Sequence, residues 1–243
     1  MQVLLPEVLE KWQAVEGIVK GVFNAYAFKE IRTPIVERSE LFHRTIGENT
    51  DVVAKEMYSF KDRKAQSLSL RPEATAGIVR AGIEHSLFYN QTQKLWSMGP
   101  MYRYERPQKG RYRQFHQINM EAFGFSGPEI DAEIILMTAR IWKLLKVDNL
   151  QLEINSLGMP VSRKKYRTQL KNYFSDHRAI LDEDSLNRLE NNPMRILDSK
   201  NPDLQSIIET APKMLDFLDT ESSEHFEILH EALTANGIPF IVN

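Results

Sequence analysis

The sequence predicts an α+β protein, with antiparallel strands set against amphipathic helices and a helical region in its second half. Three observations point there. Residues 99–124, GPMYRYERPQKGRYRQFHQINMEAFG, read as two antiparallel strands joined by a long basic loop. Apolar residues recur at helical spacing over 7–28 and 129–147. From 161 to 236 the strand patterns vanish and helical ones dominate.

Taken in order, the first element is a helix over 7–28. Its apolar stripe is Val8, Trp12, Val15, Val19, Val22, Phe23 and Tyr26, and Pro6 stands just before it, a common opening. Residues 30–37, EIRTPIVE, form a short β-branched run interrupted by Pro34. Proline has no N–H for a central ladder, so this strand belongs at an edge or an interface. A short helix is expected over 39–47, followed by ENTDVVAKEMYSF, which ends in a strand near 57–60. A polar turn at 62–66 and a strand at 67–71 complete a hairpin. In LRPEATAGIVRAGIEH, Pro72 suits a helix start, and Ile78, Val79, Ile83 and Leu87 supply the apolar side.

A strand over 93–98 leads into the central hairpin. Alternation over 101–106 puts Arg103 and Glu105 on one face. Over 114–123 it puts Phe115, Gln117, Asn119 and Glu121 on one face, and His116, Ile118, Met120 and Ala122 on the other. The helix over 129–147, with Ile130, Ile134, Met137, Ile141 and Leu144, is expected to back the sheet, and Asp131 and Glu133 suit its dipole. Residues 150–157 read as another strand of the same sheet, closed by Gly158. In the helical region Tyr166, Leu170, Tyr173 and Phe174 share a face, a further helix covers 222–235, and 238–242 read as a returning strand.

Composition sets bounds. A length of 243 residues allows one large domain or two small ones. The net charge of −2 does not announce nucleic acid, so any RNA contact must come from a local patch such as 103–113. The absence of cysteine excludes disulfides, thiolate nucleophiles and Cys-based metal sites. No apolar run reaches the length of a membrane span, and the start lacks the basic and apolar regions of a signal peptide, so a cytoplasmic protein is the expectation.

The chemistry concentrates in the hairpin. A half-buried strand usually turns Lys, Ser, Thr and Glu to solvent. Here the polar face carries Arg, Glu, Gln, Asn and a second Glu beside an aromatic ring, a set able to hold a small zwitterion and a nucleotide together. Lys109, Arg111 and Arg113 beside Gly110 suit phosphate. A solvated basic hairpin is the plainer alternative. Glu73 and Thr75 fall in an opening helical turn, where a carboxylate suits a ligand ammonium but equally compensates the helix dipole. Lys164, Lys165, Arg167 and Lys171 fit a solvated basic face better than a phosphate site. His43, His85, His116, His177, His225 and His230 are scattered and propose no metal site, and His116 lies on the apolar face as a packed ring.

The run RYRQFHQ with the PQKG loop closely resembles motif 2 of the class II aminoacyl-tRNA synthetases, in the form found in histidyl-tRNA synthetases. The first helix with its proline-bearing strand resembles motif 1, RPE-x-T resembles the segment that binds the substrate's α-amino group, and NSLG has a similar counterpart. The resemblance covers essentially the whole chain. It implies the class II antiparallel sheet flanked by helices over 1–160, a helical insertion over 161–236, and a strand over 237–243 returning to the catalytic core. It implies ATP-dependent activation of L-histidine to histidyl-adenylate, then transfer to the histidine tRNA, with ATP and Mg²⁺ entering as the substrate complex. Carried onto this chain, Arg103 grips the α-phosphate and substrate carboxylate. Glu105, Arg111, Arg113 and Phe115 serve ATP with it. Glu73, Thr75, Gln117 and Glu121 hold histidine, and Gln108 and Lys109 meet tRNA. Motif 1 implies a homodimer, although from residues 30–37 alone an unpartnered edge strand fits equally. Ala74 stands where the family usually has glycine. The family's RGLDYY segment, motif 3 arginine and anticodon-binding domain are not in these 243 residues, so the chain alone is expected to have little or no aminoacylation activity. Two other roles fit the resemblance: a synthetase-like regulatory subunit of ATP phosphoribosyltransferase, and an inactive dimerising fragment that binds ligand.

Overall fold

The computed structural model describes residues 3–47, 50, 52–106 and 108–243. The expected positions Glu48, Asn49, Asp51 and Pro107 lie outside the described residues. The chain divides into two units: Met1–Ser126 with Glu133–Asp148, and Gly127–Ala132 with Asn149–Asn243.

In the first unit, α1 (Pro6–Ala25) opens with proline at its first turn. The helix stops short of the expected 28. Ala27 adopts φ 60 and the Phe28 N–H returns to the Phe23 carbonyl at 2.9 Å, which turns the Phe28 ring into the core. The run over 30–37 is split rather than continuous. β1 (Lys29–Glu30) pairs in parallel with β5, while β2 (Val36–Arg38) pairs antiparallel with β4, and Pro34 occupies the break where no ladder N–H is needed. α2 (Ser39–Ile46) ends at Gly47 with φ 99. A π-helical turn covers Val52–Glu56. β3 (Ser59–Lys61) and β4 (Ser67–Leu70) form the expected hairpin, and Asp62 Oδ1 accepts from the N–H groups of Lys64 and Gln66 to close it. The buried hydroxyls of Ser39 and Ser69 bond to each other at 2.8 Å, and the exposed Ser67 and Ser59 extend the network at the same distance.

α3 (Thr75–Glu84) departs from its expected apolar stripe. Ile83 is 68% exposed, and the buried positions include the small Ala76, Gly77 and Gly82. The reason is close approach. A Cβ at Gly82 would stand 1.9 Å from the Phe88 ring, and Phe88 stacks on Phe123 at 4.1 Å.

β5 (Gln93–Tyr102) and β6 (Gln114–Phe123) form the long antiparallel pair, in register from Gln93↔Phe123 to Tyr102↔Gln114. The two expected stretches 93–98 and 101–106 are therefore one strand that ends at Tyr102. Beyond it, a single bond from Arg103 N–H to the Arg113 carbonyl (3.0 Å) continues the pairing, and Tyr104 N–H turns away to the Glu56 carbonyl (2.7 Å). The alternation over β6 is as the sequence reads. Trp96, Met98 and Met120 pack with Val19, Val22 and Phe23 of α1 and with Met137 and Ile141 of α4 (Glu129–Leu144). On the other face Leu95, Met101, Phe115 and Phe123 pack with Ala74 and Ile78. His116 meets Trp12 edge to face at 4.6 Å. Glu133 of α4, expected only to face the dipole, pairs with Lys94.

The second unit is mostly helical. It holds α5 (Pro160–Asp176), α6 (Glu183–Asn191), α7 (Gln205–Glu209) and α8 (Thr220–Ala235). Single 3-10 turns lie at Pro193–Ile196, Pro202–Leu204 and Met214–Phe217. Its core gathers Tyr166, Leu170, Phe174, Leu189, Ile196 and Leu204. The basic face of α5 is partly spent on folding, since Lys171 pairs with Glu190 (2.6 Å) and Arg167 bonds the Asn191 carbonyl. The strand expected over 150–157 is two residues long, β7 (Glu153–Ile154), and with β8 (Ile241–Val242) forms a separate parallel pair, so neither joins the sheet of β5 and β6 as expected. No described helix is long and apolar enough to cross a membrane.

Asp219 caps α8. Its carboxylate accepts from Ser222 N–H (2.9 Å), Ser162 Oγ (2.9 Å) and Ser222 Oγ (3.1 Å). These bonds, the Ser222 N–H first, hold its pKa at about 2 rather than 3.8. A depressed carboxylate stabilises fully above its unfolded pKa and loses that contribution as pH falls through the folded value. Helical circular dichroism in urea should therefore show wild type losing stability between pH 3.8 and about 2. Asp219→Ala should be less stable at neutral pH, and the gap should narrow across that window.

Candidate functional site

The site is built on the face of β6 opposite α1, where Phe115, Gln117, Asn119 and Glu121 stand across from Met101, Gly99, Ser97 and Leu95. Gly99, without a side chain, admits the Arg71 guanidinium over the strand pair. α3 approaches from the side and its first residue supplies Thr75.

Glu73 sits just before that helix. Its Oε2 accepts from Thr75 N–H and its Oε1 from Ala76 N–H (2.9 Å), closing donors that no helical carbonyl reaches. The expected dipole role of Glu73 is thus a direct cap. Ala74 adopts φ −98 and ψ −31, an ordinary right-handed conformation, so the family's usual glycine is not required. Its methyl is 1% exposed and packs in the core with Ile78.

Thr75 Oγ1 donates to Glu121 Oε1 (2.6 Å), and Asn119 Nδ2 donates to the same oxygen (2.7 Å). Gln117 Oε1 is buried without a hydrogen-bond partner. A buried amide oxygen left unpaired costs about 1–3 kcal/mol, a deficit that a ligand N–H would relieve.

Arg103 donates from Nε to the Pro72 carbonyl (3.0 Å) and lies over the Phe115 ring at 5.2 Å. Its two terminal nitrogens have no hydrogen-bond partner among the described residues. Glu73, Thr75 and Arg103 line one cavity of about 200 Å³, together with Thr45, Ile46, Val52 and Ala76. A carboxylate, a hydroxyl and a guanidinium in one small cavity complement a zwitterion.

The loop residues stand apart from that cavity's lining. Gln108 and Arg111 exchange backbone hydrogen bonds (3.3 and 2.9 Å) around Gly110, whose φ of +83 suits glycine. Gln108, Lys109 and Arg111 are exposed. Arg111 lies 3.7 Å from Glu105 Oε2, a weak pair at the Arg111 exposure of 66%. Arg113 stacks over Tyr104 at 4.1 Å and donates from Nε to the Glu105 carbonyl (3.3 Å). Arg103 and Glu105 do not share a strand face, because the strand has ended before them.

Arg71 is the functional-region residue that sequence reasoning missed. It is 8% exposed, donates from Nε to the Pro100 carbonyl (3.0 Å) and from Nη1 to the Thr33 carbonyl (2.9 Å), and is pulled below its ordinary pKa by burial, against Tyr102 and Glu37. Alternation in SLSLR places Ser67, Ser69 and Arg71 on one face, but Ser and Arg on a strand face read as solvent-facing, so the burial of Arg71 left no signal there. A Cβ at Gly99 would stand 2.6 Å from Arg71 Nη2. Gly99→Ala should therefore cost about 1–3 kcal/mol in urea denaturation, since the guanidinium is tethered and cannot swing clear. An unchanged midpoint would show that Arg71 yields freely.

Among the described residues, no cluster of three or more His, Asp or Glu is placed to hold a metal ion.

A family model described as histidyl-tRNA synthetase matches residues 1–236. Among solved structures the chain is similar to the apo histidyl-tRNA synthetase of S. aureus, at 37% identity and a TM-score of 0.77, over 100% of this chain and 55% of that one. It is also similar to an ATP phosphoribosyltransferase regulatory subunit/histidyl-tRNA synthetase from Bacillus halodurans, at 19% identity and a TM-score of 0.68, over 100% of this chain and 65% of that one. A third likeness is to a histidyl-tRNA synthetase from Nostoc sp., at 16% identity and a TM-score of 0.65, over 100% of this chain and 58% of that one. The last two bear on the fold alone. The chain spans between about half and two thirds of the length of these proteins.

Proposed function

The chain belongs to the histidyl-tRNA synthetase family, and from that premise we propose that it binds L-histidine and ATP·Mg²⁺ and carries the histidine-activating half of a histidine-tRNA ligase. The observation that carries the reading is the shared cavity of Glu73, Thr75 and Arg103. Glu73 and the accepting oxygen of Thr75 receive the substrate ammonium. Arg103, held through Nε by the Pro72 carbonyl, offers its two terminal nitrogens, unbonded among the described residues, to the substrate carboxylate and the α-phosphate. A planar guanidinium bridges two oxyanions in fixed geometry, which a lysine does not. Gln117 and Glu121 complete the amino-acid side.

In the reaction, a histidine carboxylate oxygen forms a bond to the α-phosphorus. The bond from that phosphorus to the bridging oxygen breaks, and its electron pair leaves with pyrophosphate. No protein proton is required, so positioning and charge carry the catalysis. Phe115 serves the adenine ring once Arg103 moves onto the phosphates, Glu105 serves the adenine amino group, and Arg111 and Arg113 serve the outer phosphates. Gln108 and Lys109, exposed at the loop tip, meet the histidine tRNA during transfer, in the cytoplasm. The exposed apolar residues Val8 and Leu9 of α1 with Ile35 and Val36 support a homodimer.

Histidine-dependent ATP–pyrophosphate exchange tests this. The 243-residue chain is expected to show weak exchange with histidine and none with other amino acids, and Arg103→Ala is expected to lower it about 10²–10³-fold. Exchange with a different amino acid, or an Arg103→Ala chain as active as wild type, would overturn the assignment. Absence of exchange together with tight complex formation with an ATP phosphoribosyltransferase would favour the regulatory role instead. Gel filtration is expected to give the mass of two chains, and Val36→Glu to give that of one.

A further inference from the structure

The two oxygens of Glu121 are not equivalent. Oε1 accepts from Thr75 Oγ1 and from Asn119 Nδ2, whereas Oε2 has no hydrogen-bond partner among the described residues. Thr75 has one hydroxyl proton and spends it on Glu121, so toward a ligand it acts only as an acceptor. Asn119 lies two positions before Glu121 on the same strand face, opposite Ser97. Residues so placed are about 7 Å apart along a strand. The Asn119 side chain spans that gap and holds the carboxylate along the strand rather than letting it rotate. Neither Asn119 nor Glu121 lines the cavity of Glu73, Thr75 and Arg103, and Glu121 adjoins it through its bond from Thr75.

Resting on the histidine-binding reading above, we propose that Asn119 is a positioning residue for amino-acid specificity: with Thr75 it commits one oxygen of Glu121 to the protein, and it fixes the carboxylate so that the other stands as a single acceptor. In this proposal the substrate ammonium sits at Glu73 and the substrate side chain meets Glu121 Oε2, the oxygen that Thr75 and Asn119 leave unbonded. An imidazole presents one N–H in a given direction and is matched by one free oxygen. A guanidinium presents two parallel N–H groups and is matched by two, the fork-to-fork geometry of arginine and carboxylate. The tether from Asn119 therefore favours a side chain with one donor over one with a fork.

Calorimetric binding of L-histidine and L-arginine to the full 243-residue chain tests the inference. Wild type is expected to bind histidine and to reject arginine. Asn119→Ala is expected to weaken histidine binding by about 10-fold and to narrow the histidine-to-arginine ratio by at least as much. Asn119→Asp, nearly isosteric, removes the donor while keeping the volume, and is expected to weaken histidine binding at least as strongly. A structural role alone would lower thermal stability or both affinities together without moving the ratio. Histidine binding and discrimination that are unchanged in both variants would overturn the inference while leaving the histidine reading intact. A wild-type chain that binds no histidine would overturn that reading and this inference with it.

Discussion

The register between β5 and β6 is the constraint on which the rest of the molecule depends. Ten residues of each strand are paired one to one. Side chains alternate with a period of two, so a slip of one residue would exchange every group between the faces. Both faces resist that slip. One is locked by Trp96 and Met120 against α1 and α4, the other by Leu95, Met101 and Phe115 against the start of α3. Between these apolar ends lies the polar row Gln117, Asn119 and Glu121, facing Gly99, Ser97 and Leu95. The row meets the cavity of Glu73, Thr75 and Arg103 through the bond from Thr75 to Glu121, which the register holds in place.

Three consecutive residues bind this sheet to its surroundings. The Arg71 side chain reaches the carbonyls of Pro100 and Thr33, the Pro72 carbonyl receives Arg103, and the Glu73 carboxylate starts α3. One short segment therefore joins the connection between β1 and β2, the hairpin and the helix. Arg71 is the costly member. Its guanidinium is desolvated, and carbonyl dipoles compensate it rather than a carboxylate bonded to it.

Much of this was legible because it follows periodicity. β6 occupies the residues its alternation marks, and the stripe of α1 packs from Trp12 onward while Val8 is exposed. Periodicity failed where a neighbour overrode it. Phe88 takes the space beside Gly82, so α3 buries small residues and exposes Ile83. The hairpin's first strand ends at Tyr102 because Tyr104 finds its partner in Glu56, a residue far away in sequence. At the site, alternation showed that Gln117, Asn119 and Glu121 share a face. It gave no sign that Asn119 would tether Glu121, because a bond along a strand depends on side-chain torsions that no pattern of residue types encodes. Arg71 escaped for a related reason: its partners are backbone carbonyls, which every residue possesses.

The dual use of Glu73 bears on how such a chain drifts. A lineage that abandoned its chemistry would still need a carboxylate to begin α3, since the N–H groups of Thr75 and Ala76 would otherwise be left open. Selection for folding alone would preserve it, and its survival in a relative says little about whether that relative still reacts. Gln117 is the opposite case. Its buried unpaired oxygen burdens the empty protein, so relaxed selection would replace it readily with an apolar side chain. Of the two, the glutamine is the better mark by which to tell a working descendant from a retired one.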